Sequence, residues 1–193
     1  MKTFLTEIRS SILATLILAV VCCGVYPLVV FGIARTFFQD KAYGSLIVDA
    51  KGVVRGSRLI GQQFTGEKYF HSRPSAAGNG YDPLSSGGSN LGPTSKKLAD
   101  SITQNISDYR TQNGLATNAP VPADAVTSSA SGLDPHISLA NAEIQMARVM
   151  KARNLAKEKV AALIQQNTDG SDLGFLGEPG VNVLRLNLAL DKL

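Results

Sequence analysis

Cysteine is nearly absent from this chain of 193 residues, and the two that occur, Cys22 and Cys23, are adjacent. Both lie in an apolar segment, so the other residues can form neither a disulfide nor a thiolate site. The preceding residues, Ala19-Val20-Val21, do not match the leucine and small residue that precede a lipid-attached cysteine. We therefore expect the two thiols to fill apolar space.

Histidine is also scarce, and His71 and His136 are the only two. Neither lies in a short-spaced cluster with carboxylates or thiolates, as a zinc site requires, so no metal site is predicted. The chain also has no G-x-S-x-G nucleophile motif, which argues against a serine hydrolase. An anchored envelope hydrolase that uses His71 or His136 is therefore the least favoured function, and no catalytic residue is assigned.

A phosphate-binding lysine is missing from the one glycine pattern that resembles a nucleotide-binding loop. Gly87 and Gly92 have the spacing of that motif, but Pro93 stands where the lysine should follow. Proline offers a phosphate neither a charge nor a backbone N–H. The pattern therefore predicts a turn-rich loop.

An excess of positive charge is missing beyond the N-terminal region. The net charge is +4, but after Arg35 only 16 basic residues stand against 14 acidic ones. A nucleic-acid surface needs a clustered basic excess. We therefore predict no nucleic-acid partner.

Charged side chains are missing altogether between Arg9 and Arg35, a run of 25 residues of which thirteen are Leu, Ile, Val or Phe. As a helix this run would span roughly 37 Å, more than the ~30 Å hydrocarbon core of a bilayer. The alternative, a cleaved signal peptide ending near Gly32-Ile33-Ala34, has an apolar core of only ~7 to 15 residues. The sequence thus predicts a short tail at 1–9 and a transmembrane helix at 10–35.

Residues 36–193 are enough for one soluble domain, and their patterns are typical of the α+β (mixed α/β) class. A hairpin is predicted around Ala50-Lys51-Gly52, and the alternating leucines of 184–190 predict a further strand. A Gly/Ser-rich loop is expected at about 65–94 and an irregular connection at about 115–131.

Three helices are predicted in this domain from capping residues and apolar spacing. The first begins after Thr94 or Ser95 and ends at Gly114. The second follows Ser138. The third is capped by Asn154 and ends at Asp169-Gly170.

The densest group of aromatic and charged residues lies between Gly61 and Ser75. Aromatic rings beside Arg73 and His71 can form a binding surface, or they can hold a loop in place by hydrogen bonds to the backbone. The second interpretation is the more common one.

At these residues the sequence resembles a known family, the C subunit of the Kdp potassium-transporting P-type ATPase of bacteria. The resemblance covers nearly the whole chain and includes the segments 24–28, 44–47, 56–62, 64–75, 86–91, 126–134, 151–155 and 181–191. It implies a candidate interface role for residues in the motifs of the anchor and the loops, namely Tyr26, Pro27, Phe64, Thr65, Gly66, Tyr69, Phe70, His71, Arg73, Pro74, Gly87, Gly88 and Asn90.

The resemblance also implies a function and partners. It implies a non-catalytic subunit of a high-affinity, ATP-driven potassium uptake complex in the bacterial inner (cytoplasmic) membrane. Its expected partners are a channel-like A subunit that binds K+, a B subunit that hydrolyses ATP, a small F peptide and membrane lipid. Family members are described as catalytic chaperones that raise the ATP affinity of the B subunit, and Gln145 matches a residue proposed as a nucleotide contact.

The side of the membrane on which residues 36–193 lie decides between two mechanisms. A very short N-terminal tail followed by a long domain favours a cytoplasmic N-terminus and a domain on the outer (periplasmic or extracellular) face. ATP is cytosolic, so an outward domain could not contact it. The alternative to direct nucleotide contact is therefore an outward cap of the K+-channel-like subunit, with ATP bound only through the complex and influenced allosterically. A plain anchored scaffold without a link to transport is a further alternative.

Overall fold

The structure, a computed structural model, describes residues 2–193 and divides the chain into two compact units. The first unit ends at Leu46, and the second comprises Ile47–Leu193. The first consists of the N-terminal helices, and the second of helices with two small sheets. The predicted combination of an α+β domain and one N-terminal apolar helix is therefore confirmed.

Most of the N-terminal unit is one continuous helix. It comprises α1 (Lys2–Val20), a π-helical segment (Val21–Val25) and α2 (Tyr26–Phe37), and a short α3 (Gln39–Ala42) follows. By its length and composition the stretch Thr3–Phe37 is able to cross a membrane. Its 35 residues extend roughly 52 Å as a helix, so it reaches past a ~30 Å hydrocarbon core.

Pro27 explains why the helix widens into a π segment at Val21–Val25. Proline has no N–H to donate to the carbonyl four residues earlier, and its ring crowds that carbonyl. Just before it, the Tyr26 N–H reaches back to the Val21 carbonyl, a bond of the i→i−5 type. The widened turn therefore accommodates the proline within an otherwise continuous helix.

The predicted hairpin is present. Strands β1 (Leu46–Val48) and β2 (Val54–Ser57) form a two-stranded sheet, and Gly52 in the turn has φ +77°. The turn is tied by Asp49, whose Oδ1 accepts hydrogen bonds from the N–H groups of Lys51 (2.8 Å) and Val53 (2.9 Å).

Five helices and a three-stranded sheet make up the rest of the domain. The helices are α4 (Lys96–Asn113), α5 (Ala123–Val126), α6 (Leu139–Arg153), α7 (Lys157–Gln166) and α8 (Val183–Leu190). The strands are β3 (His136–Ile137), β4 (Thr168–Asp169) and β5 (Gly180–Asn182), in the antiparallel order β3-β5-β4. The core lies where α6, α7 and α8 meet the sheet, and its buried members are Phe70, Ile137, Ala142, Val149, Val160, Ile164, Val181, Val183, Leu186 and Leu190.

The predicted ends of two helices are confirmed by their caps. The Ser95 Oγ accepts from the Leu98 N–H at 3.4 Å at the start of α4, and the Ser138 Oγ accepts from the Asn141 N–H at 3.1 Å at the start of α6. Helix α4 ends at Gly114, which has φ +63°. A left-handed residue at this position is the usual helix stop, and glycine adopts it without steric cost.

The strand predicted from the leucines of 184–190 is wrong, because this segment is the helix α8. Asn182 caps it by accepting from the Arg185 N–H at 3.1 Å. Val183, Leu186, Asn187 and Leu190 are buried, with the spacing of one helical face. Two of the alternating leucines, Leu186 and Leu190, thus also lie four residues apart on one helical face, and leucine has a high helix propensity.

Two further predictions need correction. Asn154 does not begin α7 but ends α6, with φ +53°, and α7 starts after Ala156 without a side-chain cap. Helix α7 ends at Gln166, before the predicted Asp169-Gly170, because Thr168–Asp169 pairs with β5.

The connection 115–131 contains one helical turn, α5, which buries Val126.

Candidate functional site

A polar cavity lies in the second unit between the loop that follows β2 and the helices α4 and α6. Its volume is about 410 Å³. Several of the residues that the family resemblance marks lie in its wall, namely Phe64, Thr65, His71, Arg73, Pro74 and Gln145. The fold therefore brings together residues that are up to 81 positions apart in the sequence.

Gln145 lies on α6 and is 1% exposed, although it borders the cavity. Its Oε1 accepts from the His71 backbone N–H at 2.7 Å and from the Arg148 guanidinium at 2.8 Å. Its Nε2 donates to the His71 carbonyl at 3.1 Å and to the Asn141 Oδ1 at 2.8 Å. A glutamine amide has two donor hydrogens and two acceptor lone pairs, so its hydrogen-bonding capacity is used within the protein.

Asn141 connects this amide to a second set of polar groups, which are buried or half-buried. The Tyr109 hydroxyl on α4 donates to its Oδ1 at 2.8 Å, and its Nδ2 donates to the Asp124 carboxylate at 2.8 Å. Asp124, on α5, also accepts from the Ser138 hydroxyl at 2.8 Å. Burial, with a contribution from the Asp124 charge, raises the pKa of Tyr109 well above its usual range, so this hydroxyl stays protonated.

Two arginines hold the backbone of the loop at residues 67–69. Arg148 donates to the carbonyls of Glu67 at 2.6 Å and Tyr69 at 2.9 Å. Arg153 donates to the Lys68 carbonyl at 2.7 Å, and its guanidinium lies 4.9 Å from the centre of the Tyr69 ring. Charge-assisted bonds of this kind are among the strongest available to a loop. These hydrogen bonds therefore fix the backbone of residues 67–69.

His71 combines a half-buried position with a positively charged neighbour. Its Nε2 lies 3.1 Å from the Gly66 carbonyl oxygen and therefore carries the proton. Burial and the nearby Arg148 charge lower the pKa of His71 from its ordinary value of 6.5. The ring is thus a neutral hydrogen-bond donor at physiological pH.

The aromatic residues near His71 belong to the same fixed loop. The Phe70 ring is fully buried in the core, and its backbone N–H and C=O bond to the Asn187 amide at 2.8 and 2.9 Å. The Tyr69 hydroxyl donates to Asp191 at 3.1 Å, and its ring lies 5.6 Å from that of Phe64. Hydrogen bonds to the backbone thus hold this part of the segment between Gly61 and Ser75, as in the second of the two interpretations of its sequence.

The Gly/Ser-rich loop lies against residues 129–132 and has neither helix nor strand between 65 and 94 where the structure describes it. The Gly87 N–H donates to the Ser131 carbonyl at 2.9 Å. Gly132 has φ +66°, and a Cβ there would lie 2.7 Å from the Ala77 nitrogen and from the Gly87 oxygen. The close approach of three backbone segments therefore requires glycine at this position.

Arg73 and Tyr81 fix the far side of the cavity. Arg73 forms an ion pair with Asp134 at 3.0 Å, and the Tyr81 hydroxyl donates to the Arg73 carbonyl. Asp134 also accepts from the His136 backbone N–H at 2.9 Å. The cavity wall is thus linked to the strand β3.

His136 lies outside the cavity, between two carboxylates. Its Nδ1 is 3.4 Å from the Asp134 Oδ1, and its Nε2 is 3.0 Å from the Asp169 Oδ2. The hydrogen bond to Asp134, with a further one to Asp169, raises the pKa of His136 above 6.5 in spite of burial. Among residues 2–193, no three His, Cys, Asp or Glu side chains converge in a way that could hold a metal ion.

Not all of the residues marked by the resemblance reach the cavity. Tyr26 and Pro27 belong to α2 in the first unit. Gly87, Gly88 and Asn90 lie in the Gly/Ser-rich loop and do not border it. Sequence reasoning named Gln145 but missed its partners on α6, although Asn141, Gln145 and Arg148 stand at i, i+4 and i+7. That spacing on a capped helix could have indicated one polar face directed inward.

Comparison with known proteins gives matches along nearly the whole chain. The family described as KdpC, "K+-transporting ATPase, c chain", matches residues 8–192. A relative from Koribacter versatilis is 52% identical over 190 residues, which is 98% of this chain and 94% of that protein. Relatives from Mycobacterium tuberculosis (strain ATCC 25618 / H37Rv) and Nitratidesulfovibrio vulgaris are each 53% identical, over 92% and 98% of this chain and 94% and 95% of their own lengths. All three are named Potassium-transporting ATPase KdpC subunit.

Proposed function

The chain belongs to the KdpC family, the c chains of K+-transporting ATPases, and on this premise we propose that it is a non-catalytic assembly subunit of such a complex. The observation that carries the proposal is the extent of the match, which includes both the apolar helix and the domain. The proposed partners are a channel-like A subunit that binds K+, a B subunit that hydrolyses ATP and a small F peptide.

We place the domain on the outer face of the bacterial inner membrane, with the N-terminus in the cytoplasm. Long domains are translocated largely regardless of nearby charge, so Arg35 and Lys41 do not oppose this position. The domain then caps the outer side of the channel-like subunit. The loops around the cavity are suited to such a role because arginine side chains and buried amides hold their backbone rigidly.

The proposed effect on ATP is an increase in the ATP affinity of the B subunit, in the manner of a catalytic chaperone. In this proposal ATP is bound through the complex, and the subunit acts by preferring one conformational state of its partners. The saturated hydrogen bonding of Gln145 supports this over direct nucleotide contact, because a nucleotide would have to displace a bond inside the domain.

Catalysis by the domain itself is the less favoured function. The rings of His71 and His136 face a backbone carbonyl and two carboxylates, respectively, and none of these groups is a nucleophile that histidine activates. Ser72 and Ser75 donate their hydroxyls to the carbonyls of Gln62 (2.9 Å) and Gly132 (2.7 Å). These contacts have structural roles.

Deletion and complementation test the assembly role. Cells that lack this chain but retain its partners should fail to grow at low K+, and the full-length chain should restore growth and K+-stimulated ATPase activity. Normal growth of the deletion strain at low K+ would instead favour an anchored scaffold without a link to transport.

Site-specific labelling tests the orientation. In a chain in which Cys22 and Cys23 are replaced by alanine, Asn118→Cys should react with a membrane-impermeant thiol reagent in intact cells. The matched variant Thr3→Cys, at the other end of the membrane helix, should react only after the membrane is opened. The reverse pattern would place the domain in the cytoplasm and restore direct ATP contact as the favoured mechanism.

A further inference from the structure

The loop between β4 and β5 ends in an apolar tip, which we define as Leu173–Leu176. Leu173 is 82% exposed, Phe175 75% and Leu176 50%. Single exposed apolar residues are common on protein surfaces, but three large ones within four positions are not explained by chance exposure. The tip is therefore a candidate contact surface.

The apolar tip is held in one shape by its own backbone. The N–H of Asp172 donates to the Leu176 carbonyl at 2.8 Å, and the reverse bond is 2.9 Å. The Ser171 hydroxyl closes the base of the loop by donating to the Gly177 carbonyl at 2.7 Å. Because these bonds already order the loop, less conformational entropy is lost when it binds a partner.

Leu173 has φ +53°, in the left-handed region that leucine rarely adopts. The exposed side chain has no packing contact in the core that would compensate for this conformation. Backbone strain of this kind is found mainly where a binding function maintains it. The position thus presents a bulky apolar side chain at a point where glycine would be easier to accommodate.

The charges around the apolar tip indicate what it contacts. No basic residue occurs between Lys159 and Arg185, whereas Asp172 and Glu178 flank the tip. Membrane surfaces with anionic lipid attract basic segments and repel acidic ones. A protein surface with an apolar socket and a basic rim is the complementary partner.

We propose that the apolar tip inserts into an apolar, basic-rimmed socket on another subunit of the same transport complex. This inference rests on the proposed function, since that function supplies the neighbouring subunits. The tip then acts as a small anchor of the kind that dominates interface energies, with exposed apolar residues that become buried on assembly.

The test uses the full-length, tagged chain co-expressed with its complex. The double variant Leu173→Gly/Phe175→Ser should reduce the co-purified partner subunits roughly tenfold or more. Its thermal midpoint should not fall, because glycine at position 173 relieves the positive φ. Leu84→Ser, which changes a residue that is 95% exposed in another loop, should purify with the complex as the wild type does.

A photo-crosslinking residue at position 175 identifies what the tip contacts. An adduct with a protein subunit supports the proposal, whereas an adduct with lipid only, or no adduct in an intact complex, overturns it. If the double variant assembles like the wild type, the inference fails and the assembly role remains. If the wild-type chain itself purifies without transporter subunits, both fail.

Discussion

Replacing Gln145 by alanine should destabilise the domain substantially, because the side chain is 1% exposed and its amide makes four hydrogen bonds. Two of the partner groups keep other bonds. Arg148 still donates to two carbonyls, and the Asn141 Oδ1 still accepts from Tyr109. The His71 N–H and C=O lose their partner.

The expected loss follows from these two groups. An unsatisfied buried polar group costs about 1–3 kcal/mol, and because His71 is only half-buried we take about 1–2 kcal/mol for each group, so the free energy of unfolding should fall by about 2–4 kcal/mol. For a domain of this size that corresponds to a decrease of roughly 5–15 °C in the thermal midpoint. Glu143→Ala, which alters an exposed residue on the same helix, should change the midpoint by less than about 2 °C.

Circular dichroism of the full-length chain in detergent measures the thermal midpoint, and ATPase assays on the assembled complex measure the KM for ATP. The structural role predicts a lower midpoint and, in complexes that still assemble, a KM close to that of the wild type. An unchanged midpoint together with a large increase in the KM would refute the reasoning and identify Gln145 as a nucleotide contact.

Further predictions concern a glycine and a histidine. Gly132→Ala should cost at least twice as much stability as Gly114→Ala in thermal unfolding; both positions have positive φ, but a Cβ at Gly114 meets nothing within 4 Å. Equal losses would contradict the close backbone approach at Gly132. The raised pKa of His136 means that its contribution to stability is present below about pH 6.5 and is lost as the pH rises through its folded pKa. The loss of unfolding free energy caused by His136→Gln in urea denaturation should therefore be larger at pH 6 than at pH 9, and a pH-independent loss would refute the ion pairs with Asp134 and Asp169.

Features set by local chemistry were predictable from the sequence. Ser95, Ser138 and Gly114 cap helices through contacts within a few residues, so their roles follow from residue type and position. The leucines of 184–190 were misinterpreted because leucine suits both a helix and a strand. The cap at Asn182 was the local signal that separates the two.

The interior of the candidate site was not predictable in the same way. The amide of Gln145 meets the backbone of His71 across 74 positions, and Tyr109 meets Asn141 across 32. Such pairs depend on how α4, α6 and the loop pack, which no local pattern contains. The resemblance marked His71 and Gln145 separately, and only the fold shows that they bond to each other.

The π segment at Val21–Val25 has a consequence for the faces of the membrane helix. One additional residue in a turn displaces every later side chain by about 100° around the helix axis, relative to an uninterrupted α-helix. A stripe that looks continuous in the sequence on both sides of Cys22 is therefore broken in space. The helix therefore presents two separately phased surfaces, and removal of a single residue from the segment would rotate one of them against the other.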